Sequence, residues 1–263
     1  MANTMANTMA NPMIITKHIC FYYIEERVDY INKIIDETNK YQYKTDIYLH
    51  TNNTDLLIDR FNTYTNGTFQ IIYHDLTNID PFKLTWVCRD LLLTQKDSYD
   101  VFMYIEDDIL VPVDALNYWI KYNKSLLEKS YNLGFMRIEL FNNEEYSTDL
   151  YGEKIDTIIN IDNEKYCVNN KNPYCAFWIY NKNEFNRFVN SPYYNICNIH
   201  GYGTRESSAI GLHGKHTPWY AATVIPIVDN KLIDACRIYH LPNNYVNTNS
   251  LHGTIKFKEA LLC

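Results

Sequence analysis

Apolar and polar positions alternate along this chain in two rhythms, and their order predicts an α/β protein. Residues 18–23 read as a strand, and residues 25–38 carry Val28, Ile31, Ile34 and Ile35 at helical spacing. A second strand over 46–50, a helix over 55–64 and a third strand over 70–74 follow. Residues 81–96 begin with Pro81 at a first helical turn and set Leu84, Val87, Cys88, Leu91 and Leu92 on one face. Strand-helix-strand order of this kind predicts a mostly parallel sheet built from right-handed crossovers.

The most informative stretch comes next. Val101–Ile105 is a strand, and it runs directly into Glu106, Asp107 and Asp108 before apolar residues resume at Ile109. Unpaired carboxylates cannot sit inside an apolar core, so the acids are expected where the strand leaves the sheet, the edge at which α/β proteins bind ligands. Three adjacent negative charges repel unless a cation joins them, and hard oxygen donors suit Mg²⁺ or Mn²⁺. The plain alternative is an acidic turn ahead of the next helix, which Pro112 and Asp114 open and which carries Leu116, Trp119, Tyr122 and Leu126.

Beyond that helix the pattern loosens. Residues 134–140 alternate, with Arg137 and Glu139 on one face, either as a surface pair or as the floor of a polar site. Residues 142–174 are polar and acidic and are expected to be irregular, apart from a short strand over 157–161. A strand over 175–180 and a helix over 184–189 restore the rhythm. Gly201 and Gly203 loosen the backbone before Thr204, which can cap a helix carrying Glu206 in its first turn. Residues 221–228 and 231–240 read as a hairpin turning at Asp229-Asn230 and ending on His240. Residues 1–13, a repeated Met-Ala-Asn-Thr, bury nothing and are expected to be disordered.

Composition narrows the possibilities. The 263 residues suit one domain, expected over 14–263, and the hydrophobic fraction of 46% is enough for a proper core. A net charge of −7 without any Lys/Arg run argues against nucleic acid as a partner. Seven cysteines without a Cys-x-x-Cys pair indicate neither a zinc ribbon nor a disulfide framework, and fit a reducing compartment. No apolar run reaches the roughly 18–20 residues of a membrane span, and no signal peptide is visible, so a cytoplasmic, soluble protein is expected.

The acidic strand end resembles the DxD motif of GT-A-fold nucleotide-sugar glycosyltransferases, in the Glu-Asp-Asp form of the N-acetylglucosaminyltransferase I type. The resemblance is specific at Tyr104–Leu110 and weaker at Glu206 and His240. It implies a GT-A-like (Rossmann-like) mixed, mostly parallel sheet flanked by helices, with 14–114 binding the nucleotide sugar and 115–263 the acceptor. It implies Mn²⁺ or Mg²⁺ on Asp108, completed by His240 ahead of His213 or His216. Glu106 would contact the ribose, and Asp107 the donor sugar or a water on the metal. Tyr22, Tyr23, Arg27 and residues 50–52 would lie near the nucleotide, with one basic residue of the 81–96 helix, Lys83 ahead of Arg89.

In inverting members an acid at the start of a helix deprotonates the acceptor hydroxyl. Glu206 matches that placement, with Asp107, Glu139 and Asp149 as lesser candidates. The implied donor is a UDP-sugar ahead of a GDP-sugar, and the implied acceptor a glycan or glycoprotein. Two other readings stay open: a metal-dependent sugar nucleotidyltransferase, although the loop after the first strand is Glu25-Glu26-Arg27 rather than Gly-rich and basic, and a binding module without turnover.

Overall fold

In the computed structural model, residues 13–57, 60–169, 171–209 and 219–262 are described. The disordered leader expected over 1–13 lies, but for Met13, outside the described residues, as do His213 and His216. In chain order the elements are β1 (Ile14–Phe21), α1 (Val28–Thr38), β2 (Lys44–Thr51), β3 (Phe69–Tyr73), α2 (Leu84–Thr94), β4 (Val101–Glu106), β5 (Ile109–Leu110) and α3 (Val113–Glu128). Then come β6 (Asn132–Leu133), β7 (Met136–Phe141), β8 (Glu144–Ser147), β9 (Ile158–Ile161), β10 (Glu164–Val168), β11 (Phe177–Asn181) and α4 (Lys182–Val189). The chain closes with α5 (Thr204–Ser207), β12 (Thr223–Val228), β13 (Lys231–Leu232), β14 (Arg237–His240) and β15 (Ile255–Lys256).

The protein is mixed α/β, but the single mostly parallel sheet is a correction: the described strands form three mixed five-stranded sheets. The first has the order β11-β4-β1-β2-β3, with β1 to β4 parallel and β11 antiparallel against β4. It carries the expected crossovers, and α1 buries Val28, Ile31, Ile34 and Ile35. Each such side chain contributes about 1.5–3 kcal/mol by leaving water. The second sheet runs β13-β12-β10-β9, with β6 beside β12, and the third runs β15-β8-β7-β14-β5.

Two-residue turns supply three hairpin pairs of the extra sheets, which long-range pairings then complete. Asn142-Asn143, Asp162-Asn163 and Asp229-Asn230 all have positive φ at both residues and join β7 to β8, β9 to β10 and β12 to β13. Asn and Asp tolerate this left-handed backbone, and such turns match strand twist. Residues 142–147 and 158–168 are therefore hairpin turns and strands, while 148–157 and the described residues of 169–174 form no strand or helix, in line with the irregular segment expected there. The hairpin expected over 221–240 also stops early: a 3₁₀ turn at Asp234–Cys236 ends it, and β14 joins the third sheet instead. In the 55–64 segment the described residues form turns, not a helix.

Lys17 and His18 lie in the interior on opposite faces of β1, both fully buried. Lys17 Nζ donates to Thr38 Oγ1 at 2.8 Å under α1. On the other face His18, His50 and His74 are joined ring to ring by hydrogen bonds of 2.8 Å and stack with centroids 5.1 Å apart. His50, expected near a nucleotide, is thus an interior residue of this row. No described helix is long and apolar enough to cross a membrane.

Candidate functional site

The strand carrying the acids does end where expected. β4 is buried along its length and pairs Glu106 with Cys20 of β1, so the three carboxylates emerge at the carboxyl edge of the parallel strands. Asp107 and Asp108 then bridge to β5, which leaves the first sheet and pairs with β14 of the third. That pairing sets His240 opposite Ile109, and Leu241 N donates to Asp108 O at 2.8 Å. His240 Nε2 lies 3.5 Å from Asp108 Oδ2. Residues 132 apart in the chain become neighbours through one strand pair.

Each acid has a different set of partners. Tyr174 OH donates to Glu106 Oε1, and Arg205 Nε lies 3.4 Å from Glu106 Oε2. Arg27 Nη1 donates to Asp107 Oδ1 and Oδ2 at 3.0 and 3.1 Å and reaches Asp108 Oδ2 at 3.5 Å. Burial, followed by the charges of the neighbouring acids, pushes Glu106 up to about 8 and Asp107 up to about 7, against the opposing pull of Arg205 and Arg27. Burial opposes ionisation of Asp108 as well, but the hydrogen bond and charge of His240, then Arg27 and Arg137, hold it below the usual carboxylate range. Burial would lower His240, yet Asp108 and Glu139 together raise it. Burial thus makes the negative charges of Glu106 and Asp107 costly, and their arginine partners, or a bound cation, lower that cost.

A cavity of about 250 Å³ opens beside the cluster. Its wall comprises Cys20, Tyr22, Ile24 and Arg27 from the end of β1 and the turn beyond, Pro81, Phe82, Leu84 and Thr85 around the start of α2, Glu106, Asp107 and Arg205. Asp108 is not part of that wall. Tyr22 and Phe82 are 40% and 53% exposed, apolar faces at its margin. The mouth thus combines two aromatic rings, two guanidinium groups and an acidic floor.

Of the residues singled out in the sequence, Tyr22, Arg27, Glu106, Asp107, Asp108 and His240 are brought together. Lys83 is not, and Glu206 reaches the group only through Arg205 of the cavity wall, 3.7 Å away. Lys83 is exposed and lines a separate groove with Trp86, Asp90 and Tyr194. Arg89, its rival on α2, is buried over the Trp86 ring at 3.9 Å and donates to the carbonyls of Tyr193, Tyr194 and Ser208. Glu206 stands 44% exposed beside Arg205, its carboxylate folded back over Gly203. Thr204 does not cap α5: Gly203 occupies the cap position, and Thr204 Oγ1 donates to Asp80 Oδ2 at 3.1 Å. Tyr23 N donates to Asn52 Oδ1 at 2.8 Å, which holds the two loops together outside the cavity.

Arg137 and Glu139 are neither a surface pair nor partners. Arg137 Nη2 binds Asp149 Oδ1 at 2.7 Å, which ties up Asp149 in a buried ion pair. Glu139 is wholly buried, accepting from His240 Nδ1 at 2.6 Å and from three backbone amides, Asn244, Tyr245 and Val246, at 2.9–3.1 Å. Arg205, Tyr174 and the Glu139–His240 contact were the pieces missed from sequence. Only the alternation in 134–140 pointed toward any of them.

Among the described residues no group of three or more His, Cys, Asp or Glu side chains is gathered to hold a metal. Asp108 and His240 offer two donors 3.5 Å apart. Mg²⁺ and Mn²⁺ commonly take one or two protein donors and fill the rest with phosphate oxygens and water, so the donor chemistry fits such an ion. A scan against family models finds no match for this chain, and a search of curated proteins finds none.

Proposed function

We propose that the protein is a GT-A-type, metal-dependent glycosyltransferase that moves a sugar from a nucleoside diphosphate donor, a UDP-sugar ahead of a GDP-sugar, to a hydroxyl of a glycan or glycoprotein acceptor. The observation that carries this reading is the acidic end of β4, with Asp108 facing His240 and with Arg27 and Arg205 lining the adjoining cavity. The order of the first sheet, with parallel β3-β2-β1-β4 closed by antiparallel β11, is compatible with such a fold. Asp108 and His240 would hold Mn²⁺ or Mg²⁺. When bound, such an ion would supply positive charge against the charge that develops on the departing diphosphate.

The protein's own side chains do the rest. Tyr22 and Phe82 offer flat faces for the nucleobase. Arg27 and Arg205 turn from the acids toward the phosphates, adding positive charge where negative charge grows. Glu106, its carboxyl held by Tyr174, accepts a ribose hydroxyl, and Asp107 accepts a hydroxyl of the donor sugar. Glu206, exposed beside Arg205, takes the acceptor proton in an inverting transfer.

Nucleotide sugars screened by thermal shift in Mn²⁺ identify the donor, since a ligand of the native state raises the melting temperature. Hydrolysis or transfer is then measured with and without Mn²⁺. Asp108→Ala is expected to abolish metal-dependent turnover, and Glu206→Gln to lower transfer while sparing donor binding. Turnover that persists in Asp108→Ala removes the reading.

The acids are already engaged by Arg27 and Arg205, which favours a second reading, a nucleotide-sugar-binding module. Donor binding without any turnover, acceptors included, would establish it.

A further inference from the structure

We propose that Glu139 is a positioning residue of the cation site, fixing the ring of His240 so that Nε2 is the nitrogen presented beside Asp108; the inference rests on the metal-dependent reading above. Four donors converge on this one carboxylate: His240 Nδ1 at 2.6 Å, and the amides of Asn244, Tyr245 and Val246. Its two oxygens are fully occupied and its side chain has no solvent exposure, so Glu139 is not itself a metal donor. The cation on its own strand, Arg137, is committed to Asp149. The negative charge of Glu139 therefore acts on His240.

A carboxylate can only accept, so Nδ1 must carry the hydrogen between them. In the neutral ring the lone pair then falls on Nε2, 3.5 Å from Asp108 Oδ2. This is the arrangement by which an outer carboxylate orients a metal-binding histidine. Stacking of His240 on Tyr245, with ring centroids 5.6 Å apart and Tyr245 N bound to the same carboxylate, holds the ring plane as well. A carboxylate that served only to anchor residues 244–246 would need no contact with His240.

Glu139→Gln separates the two roles. The amide oxygen, in the place of Oε2, can keep accepting from the amides of Tyr245 and Val246, while the NH₂, in the place of Oε1, faces His240 Nδ1 and gives up the bond from the Asn244 amide. The ring would then have to accept at Nδ1 and carry its proton on Nε2, against Asp108. Mn²⁺ alone, titrated into the full chain and followed by electron paramagnetic resonance, is expected to bind the wild type, to bind Glu139→Gln roughly ten- to hundredfold more weakly, and to lose its site in Asp108→Asn. A Glu139→Gln protein with the wild-type melting temperature and wild-type Mn²⁺ affinity overturns the assignment alone. Wild type that binds no Mn²⁺, or Asp108→Asn that binds as wild type does, overturns the metal reading and the assignment with it.

Where Glu139→Gln does not fold, the nitrogen chemical shifts of neutral His240 in the metal-free wild type decide. A proton on Nδ1 supports the assignment, and one on Nε2 overturns it.

Discussion

Arg27 Nη1 sits 3.0 Å from Asp107 Oδ1, donating to both oxygens of a carboxylate whose side chain is only 8% exposed. The same nitrogen reaches Asp108 at 3.5 Å, so one guanidinium offsets charge on two of the three acids. Removing a charged partner from a buried carboxylate leaves that group's desolvation unmet.

Arg27→Met is accordingly expected to lower stability by about 1–3 kcal/mol in urea unfolding, the pair being partly open to solvent. Mn²⁺ should then restore more stability to the variant than it adds to the wild type, because it replaces the missing charge. An unchanged unfolding midpoint, or equal Mn²⁺ effects, would count against this electrostatic account.

The row His18–His50–His74 predicts acid sensitivity. Burial lowers His18 to about 3 and His50 well below its usual value. Unfolded, these rings take up protons below about 6.5, whereas the folded rings stay neutral, so the stability they allow is complete above that pH and falls as pH drops. Glu106 and Asp107, raised by burial, act in the opposite sense, and the comparison with a variant isolates the histidine. Between pH 6 and 5 the unfolding free energy of His18→Gln should fall less steeply than that of wild type, by about 1.4 kcal/mol per pH unit. Parallel pH profiles would show that His18 is protonated in the fold.

Lys17 is a buried amine that burial depresses to about 7, with Glu37 pulling the other way. Its neighbours Thr38 and Tyr41 donate their hydroxyl protons elsewhere, to the carbonyls of Ile34 and Val111. Lys17→Met therefore orphans no donor and is expected to stabilise the protein by about 1–4 kcal/mol at pH 7. The folded amine releases its proton near pH 7 and the unfolded one near 10.5, so the penalty present at low pH fades as pH rises between them. The advantage of the variant should shrink over that range in paired chemical denaturations.

The turn at Asn142-Asn143, with φ of 50° and 61°, joins the strand carrying Glu139 to its hairpin partner. A β-branched residue resists that backbone region, so Asn143→Val should cost about 1–2 kcal/mol while Asn143→Gly costs little. Equal unfolding midpoints for the two variants would rule out the left-handed turn.

These turns also show where the sequence was hard to read. The helix at 28–38 announces itself through one apolar face, and the central strands of the first sheet as short runs rich in β-branched and aromatic residues, buried on both faces. The isoleucines of 158–161 mark that strand, but those at 144–147 and 164–168 are short and begin with polar residues, and the Asn-Asn and Asp-Asn pairs that precede them lack the glycine that marks most tight hairpins. Asp229-Asn230 was recognisable only because longer apolar runs flank it. The acid cluster was legible as local chemistry at a strand end. Arg205 and Glu139 were not, since their roles depend on which strand pairs with β5 and which helix faces the cavity, contacts that no short window of residues encodes.

Asp107 and Asp108 are the two residues between β4 and β5, so they join a strand of one sheet to a strand of another. On one side Glu106 N is tied to Ala176 O at 3.2 Å, and on the other Asp108 O is tied to Leu241 N at 2.8 Å. The backbone beneath the carboxylates is clamped from both ends, and no segment need be ordered there when a ligand arrives. On the proposed reading an incoming anion would compete for two arginine side chains, so the ordering asked of the protein itself would fall mainly on those side chains.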